Sequence, residues 1–188
     1  RYLGAYAKLK GQKDVDFPAY LDFITKKTTL NTGVLAVNMH VEQYTALLKY
    51  KLDVFNLNFG SIVYLERKDK LAQAVSLSKA QITDQWSSQT QAVAELPTNI
   101  PHSHVTKSLL HLVESHEYYL NQLASKTHFH YDYETFKSLD SLTCYQEPLA
   151  KLGIEIPQSV SLETGLTQQA NKQSDEIKAN YLSFINGN

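Results

Sequence analysis

At two places an apolar, β-branched run gives way without a break to helical spacing, and this alternation limits the fold more than any other feature of the chain. TGVLAVNMH (32–40), opened by Asn31 and Gly33, is followed by VEQYTALLKYKL, where Tyr44, Leu47 and Leu48 fall about one turn apart. NFGSIVYLER repeats the change, because β-branched and aromatic residues at 62–65 lead into a helix starting near Asp69. A third strand-like run, THFHYDYETF (127–136), is rich in aromatics and precedes a weaker helix, LDSLTCYQEPLAKLG. Strands alternating with helices predict an α/β fold in which helices flank a parallel sheet.

The remaining segments read as helices and loops. DFPAYLDFITKKT (16–28) spaces Phe17, Leu21 and Ile24 as one helical face, with Asp16 as its cap and Pro18 tolerated in the first turn. AELPTNIPHS (94–103) has two prolines and no periodicity, so it predicts a loop before a long helix from about 103 to 125. Val105, Leu109, Leu112, His116, Tyr119 and Leu123 form that helix's inward stripe. A closing helix in SLETGLTQQANKQSDEIKANYLSFI places Ile177, Tyr181, Phe184 and Ile185 on one face, with Gln168, Lys172 and Asp175 elsewhere. With 188 residues, 43% of them apolar, and no repeat or break in composition, the chain is expected to form a single domain over 1–188.

Charge and composition narrow the partners. The 18 basic and 19 acidic residues leave a net charge of -1, so no broad field gathers nucleic acid or an acidic membrane surface, and any anion site has to be local. Cys144 is the single cysteine, which excludes an intramolecular disulfide and suits a reducing, cytoplasmic setting. No run approaches the roughly 20 apolar residues of a membrane span, and RYLGAYAKLK lacks the layout of a signal peptide. The pairs His102/His104 and His128/His130 offer imidazoles to a zinc ion, but no cysteine or carboxylate stands at a recognisable spacing, so no metal is expected. A GxSxG elbow and a glycine-rich dinucleotide fingerprint are both absent.

YLERKDKLAQAVSLSKAQITDQW (64–86) carries the most chemistry. If Asp69 caps the helix, then Asp69, Gln73 and Ser76 share one face while Leu71, Val75 and Ile82 share another; Trp86 continues the second stripe and reads as core. Arg67 projects from the carboxyl end of its strand, where open α/β sheets place ligands. A guanidinium and a nearby hydroxyl suit a phosphate, the first as a forked, permanently charged donor and the second as a neutral one. A surface arginine before a solvated helix face fits the same spacing, and composition alone leaves both readings open.

RKDKLAQAVSLSKAQITDQW resembles the stretch following the third-strand position in the bacterial trehalose-type sulfotransferases, carbohydrate enzymes of the superfamily that uses 3'-phosphoadenosine 5'-phosphosulfate (PAPS). The resemblance implies that Arg67 and Ser76 hold the donor's 3'-phosphate. TGVLAVNMHVEQ resembles the family segment NGVFGxKLHWxQ, which implies His40 as general base. HYDYETFKS resembles the superfamily's YEDL element and implies that Tyr133 lies against the adenine, while NKQSDEIKANYLSF resembles the closing helix and makes Lys172 a further donor contact. Trp86, on the same resemblance, walls the acceptor pocket. Plain alternatives stand beside these roles: His40 as a backbone cap, Tyr133 as core packing, Lys172 as a solvated helix residue.

The resemblance runs over about residues 28–185, strongest at 64–86 and weakest between 90 and 125. It implies a P-loop-like sulfotransferase fold, a sugar or glycolipid acceptor, no metal and a homodimer. Two departures qualify it. Asn38 stands where the family segment has a lysine, and no Ser/Thr/Gly-rich loop precedes the strand expected before His40, so the chain is expected to lack its first strand and phosphosulfate loop. A non-catalytic nucleotide-binding or scaffolding relative is the competing expectation, and a helical interaction module built on the Val105–Leu123 stripe is a third.

Overall fold

A computed structural model describes residues 11, 16–28, 35–57, 59–87, 91–97, 99–138, 143–156 and 171–187. The chain divides into two compact units, Arg1–Leu57 and Asn58–Asn188.

In the first unit, helix α1 (Phe17–Thr28) begins where the Ala19 N–H donates to Asp16 Oδ1 at 3.2 Å, and Pro18 occupies the first turn, where its missing N–H has no helical partner to lose. Helix α2 (Val41–Lys49) follows His40, whose backbone N–H donates to Gln43 Oε1 at 2.9 Å. Residues 35–40 are irregular and Val37 is 52% exposed, so the strand expected at 32–40 is absent from the described part of that run. Residues 32–34 lie outside the described residues. An apolar run becomes a strand only where a neighbouring backbone completes its hydrogen bonds, and among the described residues none does so for 35–40. Tyr44 is buried, donates its hydroxyl to Asp53 at 3.0 Å and meets the Phe55 ring edge-on, which closes the 3-10 turn Val54–Leu57 against α2.

The second unit contains β1 (Val63–Glu66), α3 (Lys70–Thr83), α4 (His102–Tyr118), β2 (Phe129–Asp132), α5 (Tyr133–Ser138), α6 (Thr143–Ala150) and α7 (Lys172–Ile185). The two strands pair in parallel, from Val63 opposite Phe129 to Glu66 opposite Asp132, with α3 and α4 in the crossover. The expected parallel α/β arrangement is therefore present, although among the described residues the sheet has two strands. Helix α4 runs on through a π-helical turn at Tyr119–Leu123 and a 3-10 turn at Ala124–Lys126, and its predicted stripe does face inward.

The core lies where α3, α4 and α7 meet, around Ala74, Val75, Ile100, Val105, Ile177 and Tyr181, with Leu71 and Ile82 packed at its edge as the spacing predicts. Ala74, Ser78, Val105 and Ser108 are small and almost wholly buried, so the backbones of α3 and α4 come close. At that seam the Ser78 and Ser108 hydroxyls are 2.9 Å apart, and Ser78 also donates to the His104 carbonyl at 3.3 Å.

The apolar face of α7 is covered unevenly, and the expectation for Trp86 needs correction. Ile177 and Tyr181 are buried, but Phe184 and Ile185 are each 55% exposed, because the apolar stripe of α7 outlasts its partners: Phe184 reaches His102, the first residue of α4. Trp86 is not core. Asp84 ends α3 in a left-handed conformation (φ 53°), which turns the chain off the helical stripe, and Trp86 is 60% exposed with its indole N–H bonded to Asp84 at 2.7 Å.

Candidate functional site

Parallel pairing brings together residues that are far apart in sequence. Because Glu66 stands opposite Asp132, the next residues, Arg67 and Tyr133, leave the carboxyl ends of adjacent strands side by side. The Arg67 guanidinium carbon lies 5.2 Å from the centroid of the Tyr133 ring, within cation–π range. Tyr133 is thus the first residue of α5 and half-buried, rather than a strand residue packed in the core.

The turns that carry these two residues are tied to each other. Glu134 Oε2 accepts from the Lys68 N–H at 3.1 Å and Oε1 from the Asp69 N–H at 3.3 Å, so α5 satisfies two amide donors at the entry to α3 that no intrahelical bond serves. The Lys68 ammonium donates to Asp132 at 2.9 Å. Lys70 reaches back to Glu66 at 3.1 Å and to the Arg67 carbonyl at 2.7 Å. Asp69 caps α3 through the Ala72 N–H and binds Lys178 of α7 at 2.6 Å.

These contacts set the charges. The Lys178 ammonium holds the Asp69 carboxyl below its ordinary range, helped by the Ala72 N–H and by Arg67 against a smaller effect of burial. Partial burial pushes the Glu134 carboxyl up, but the backbone N–H donors and Arg67 outweigh it, leaving the group lowered. Asp132 is lowered by Thr135 and Lys68, and Lys68 is correspondingly raised by Asp132.

Amid this satisfied network one donor is left over. Arg67 Nε is buried and makes no hydrogen bond, its nearest carboxylate oxygen, on Glu134, being 4.0 Å away. Gln73 Oε1, one turn into α3, is also buried without a partner. A guanidinium three-quarters buried, stacked on an aromatic ring and short of an acceptor can receive an anionic oxygen at the end of the sheet.

No hydrogen bond, ion pair or ring contact joins the other predicted residues of the second unit to this pair. Ser76 is on the exposed side of α3, on the helical face of Asp69 and Gln73, and no hydrogen bond joins it to Arg67. Lys172 opens α7 with its side chain 92% exposed and 3.8 Å from Glu176. Trp86 follows the far end of α3, a helix about 20 Å long at its usual rise. His40 belongs to the first unit, where it stands at the start of α2.

Behind β1 is a second polar cluster. The Tyr64 ring stacks on Tyr119 with centroids 3.4 Å apart, and its hydroxyl is 3.1 Å from His116 Nδ1. Burial, then the nearby Glu66 and Tyr119, push this phenol up to about 12. Glu66 meets His130 at 3.0 Å and His116 at 3.5 Å. Of the histidine pairs, His128 accepts the Ile62 N–H at the start of the ladder, and His102 packs on Phe184. No cluster of three or more metal-ligating side chains occurs among the described residues.

A family model described as Stf0 sulphotransferase matches residues 6–183, a span that covers both compact units. The chain belongs to the Stf0 sulphotransferase family. This agrees with the resemblance read at 28–185 and assigns sulfuryl transfer as the family's chemistry. No curated protein and no solved structure matches the chain. Among the described residues of this Stf0 sulphotransferase, no helix is long and apolar enough to cross a membrane.

Sequence reasoning missed Glu134 and Lys178. Glu134 had a local signal, an acidic residue in the first turn of a helix directly after a strand. Lys178 had none, since its contact with Asp69 spans 109 positions.

Proposed function

We propose that this Stf0 sulphotransferase, a single sulfotransferase domain of the cytoplasm, moves a sulfuryl group from PAPS to a hydroxyl of a carbohydrate or glycolipid. Arg67 and Tyr133 bind the adenosine 3'-phosphate end of the donor, the guanidinium taking the phosphate and the ring lying towards the adenine. The observation that carries this reading is the buried Arg67 Nε without an acceptor, at the carboxyl end of a parallel strand and over an aromatic ring. Ser76 adds a neutral donor and Lys172 a peripheral positive charge, while Trp86 borders the acceptor.

In the reaction the acceptor oxygen attacks sulfur, the bond between sulfur and the 5'-phosphate oxygen breaks, and adenosine 3',5'-bisphosphate leaves. His40 takes the hydroxyl proton, a role suited to imidazole because it accepts a proton near neutral pH at little cost.

Calorimetry with adenosine 3',5'-bisphosphate tests the site. Arg67→Ala is expected to weaken binding by about 1.5 to 3 kcal/mol, the range for hydrogen bonds to a charged group, and Ser76→Ala by about 0.5 to 1.5 kcal/mol. Unchanged affinity in Arg67→Ala removes the assignment. Tight nucleotide binding without transfer from radiolabelled PAPS to any sugar or glycolipid acceptor supports the non-catalytic alternative instead.

A further inference from the structure

Arg67 and Tyr133 are 66 positions apart, so something must hold their two turns in one geometry. Strand pairing aligns the backbones up to Glu66 and Asp132 and stops there. Beyond that point the contacts are made by side chains. Lys68 and Asp132 bridge on the outside, with the lysine side chain 68% exposed, so this pair constrains little. Glu134 differs because it bonds to main chain. Its two oxygens accept separately from consecutive amides, Lys68 and Asp69, which fixes the peptide planes just after Arg67. The same carboxylate lies 4.0 Å from Arg67 Nε, close enough to orient the cation by charge yet too far to take one of its hydrogen bonds.

We infer that Glu134 is a positioning residue for donor binding: it clasps the Lys68 and Asp69 amides and thereby holds the Arg67 guanidinium over Tyr133 with its Nε donor unclaimed by any protein acceptor. The inference rests on the nucleotide-binding reading above and adds to it a residue that touches no ligand. The carboxylate is negative, so a direct role at the phosphate would repel; acting through the turn and the arginine removes that conflict. Lengthening or shortening the clasp misplaces Arg67 without deleting any group that binds the anion.

The test is a double-mutant cycle on the 188-residue chain, with adenosine 3',5'-bisphosphate as the probe in calorimetry. Glu134→Ala is expected to weaken binding about fivefold to tenfold, and to add less than about twofold once Arg67→Ala is present, because neighbouring groups that act together are non-additive. Glu134→Gln keeps an acceptor oxygen for one amide and is expected to retain part of the affinity, a rescue that general damage to the fold does not give. Wild-type affinity in Glu134→Ala overturns the inference, as does a loss that repeats in full on top of Arg67→Ala. A readout without nucleotide separates this from the donor reading: the Arg67 Nε–H resonance and the exchange protection of the Lys68 and Asp69 amides are expected to change in Glu134→Gln. If they change while Arg67→Ala leaves nucleotide affinity intact, the donor reading is what fails and Glu134 positions Arg67 for some other ligand; if they stay fixed, the positioning role is wrong whatever the nucleotide does.

Discussion

Helix α3 works differently along its length and at its first turn. Along its length it meets α4 through Ala74 and Ser78, facing Val105 and Ser108, all uncharged and nearly without exposure. At its first turn Arg67, Lys68, Asp69 and Lys70 engage Tyr133, Asp132, Glu134, Lys178 and Glu66 through charged groups, several of them open to water. Close packing of small neutral groups stabilises by excluding water and leaves no room for change, whereas half-exposed ion pairs add little stability but fix directions. The seam is built to hold the fold together, and the turn to aim side chains.

If that division is right, damage to the seam should read out as stability and damage to the turn as binding. Val105→Asp puts an unpaired charge at a position with no exposure and is expected to cost more than about 4 kcal/mol, enough to unfold many domains, as followed by circular dichroism in urea. Ser78→Ala leaves the Ser108 hydroxyl facing an apolar neighbour and is expected to cost about 1 to 3 kcal/mol; adding Ser108→Ala should recover part of that, since removing both partners strands neither. A double variant worse than the sum of the singles would mean that the seam depends on volume rather than on the hydrogen bond.

Lys68→Ala, at the turn, is expected to leave stability almost unchanged, and any small loss to shrink further in high salt. A larger loss would place the turn among the stabilising contacts and erase the contrast. The Asp69–Lys178 pair gives a pH test with a definite sign. Asp69 is lowered in the folded protein, so its contribution is present above the ordinary carboxylate range and fades as pH falls through the lowered value. Lys178→Ala should flatten that part of the acid-unfolding curve. At the alkaline end, Tyr64 stays neutral to about 12 when folded, so stability should decline between about 10 and 12 as the unfolded chain ionises first. Absorbance at the phenolate band should show a late component that disappears in Tyr64→Phe. The smallest effect is expected from Lys172→Ala, within about 0.5 kcal/mol of wild-type stability; a clear fall in nucleotide affinity would bring the start of α7 into the site.

Legibility in the sequence followed the range of the interaction. The start of α3 at an Asp69 cap, the Leu71–Val75–Ile82 stripe and the inward face of α4 depend on spacings within one helix, and all three are present. The runs at 35–40 and 62–65 look alike as local patterns, yet of the two only the second finds a parallel partner, in Phe129–Asp132. Trp86 was placed in the core by extending a helical phase past Asp84, where one left-handed residue cancels the phase. Of the candidate site, Arg67 at its strand end was legible, because a strand-to-helix switch marks where that end lies. Its neighbourhood was not, since Tyr133 and Glu134 reach it through register.

By itself the sequence determined that this is an α/β chain, where several of its helices begin, which of their faces are apolar, and, through its match over residues 6–183, that it is an Stf0 sulphotransferase. These follow from short-range rules of backbone geometry and from motif order, which a linear string records. Only the tertiary structure decided that Ser78 rather than Ser76 is the buried serine of α3, that Glu134 clasps the turn after Arg67, and that Tyr133 lies beneath the guanidinium. The reason is that side chains from distant segments become neighbours only when strands choose a partner and a register, and that choice depends on the free energy of the whole packed unit.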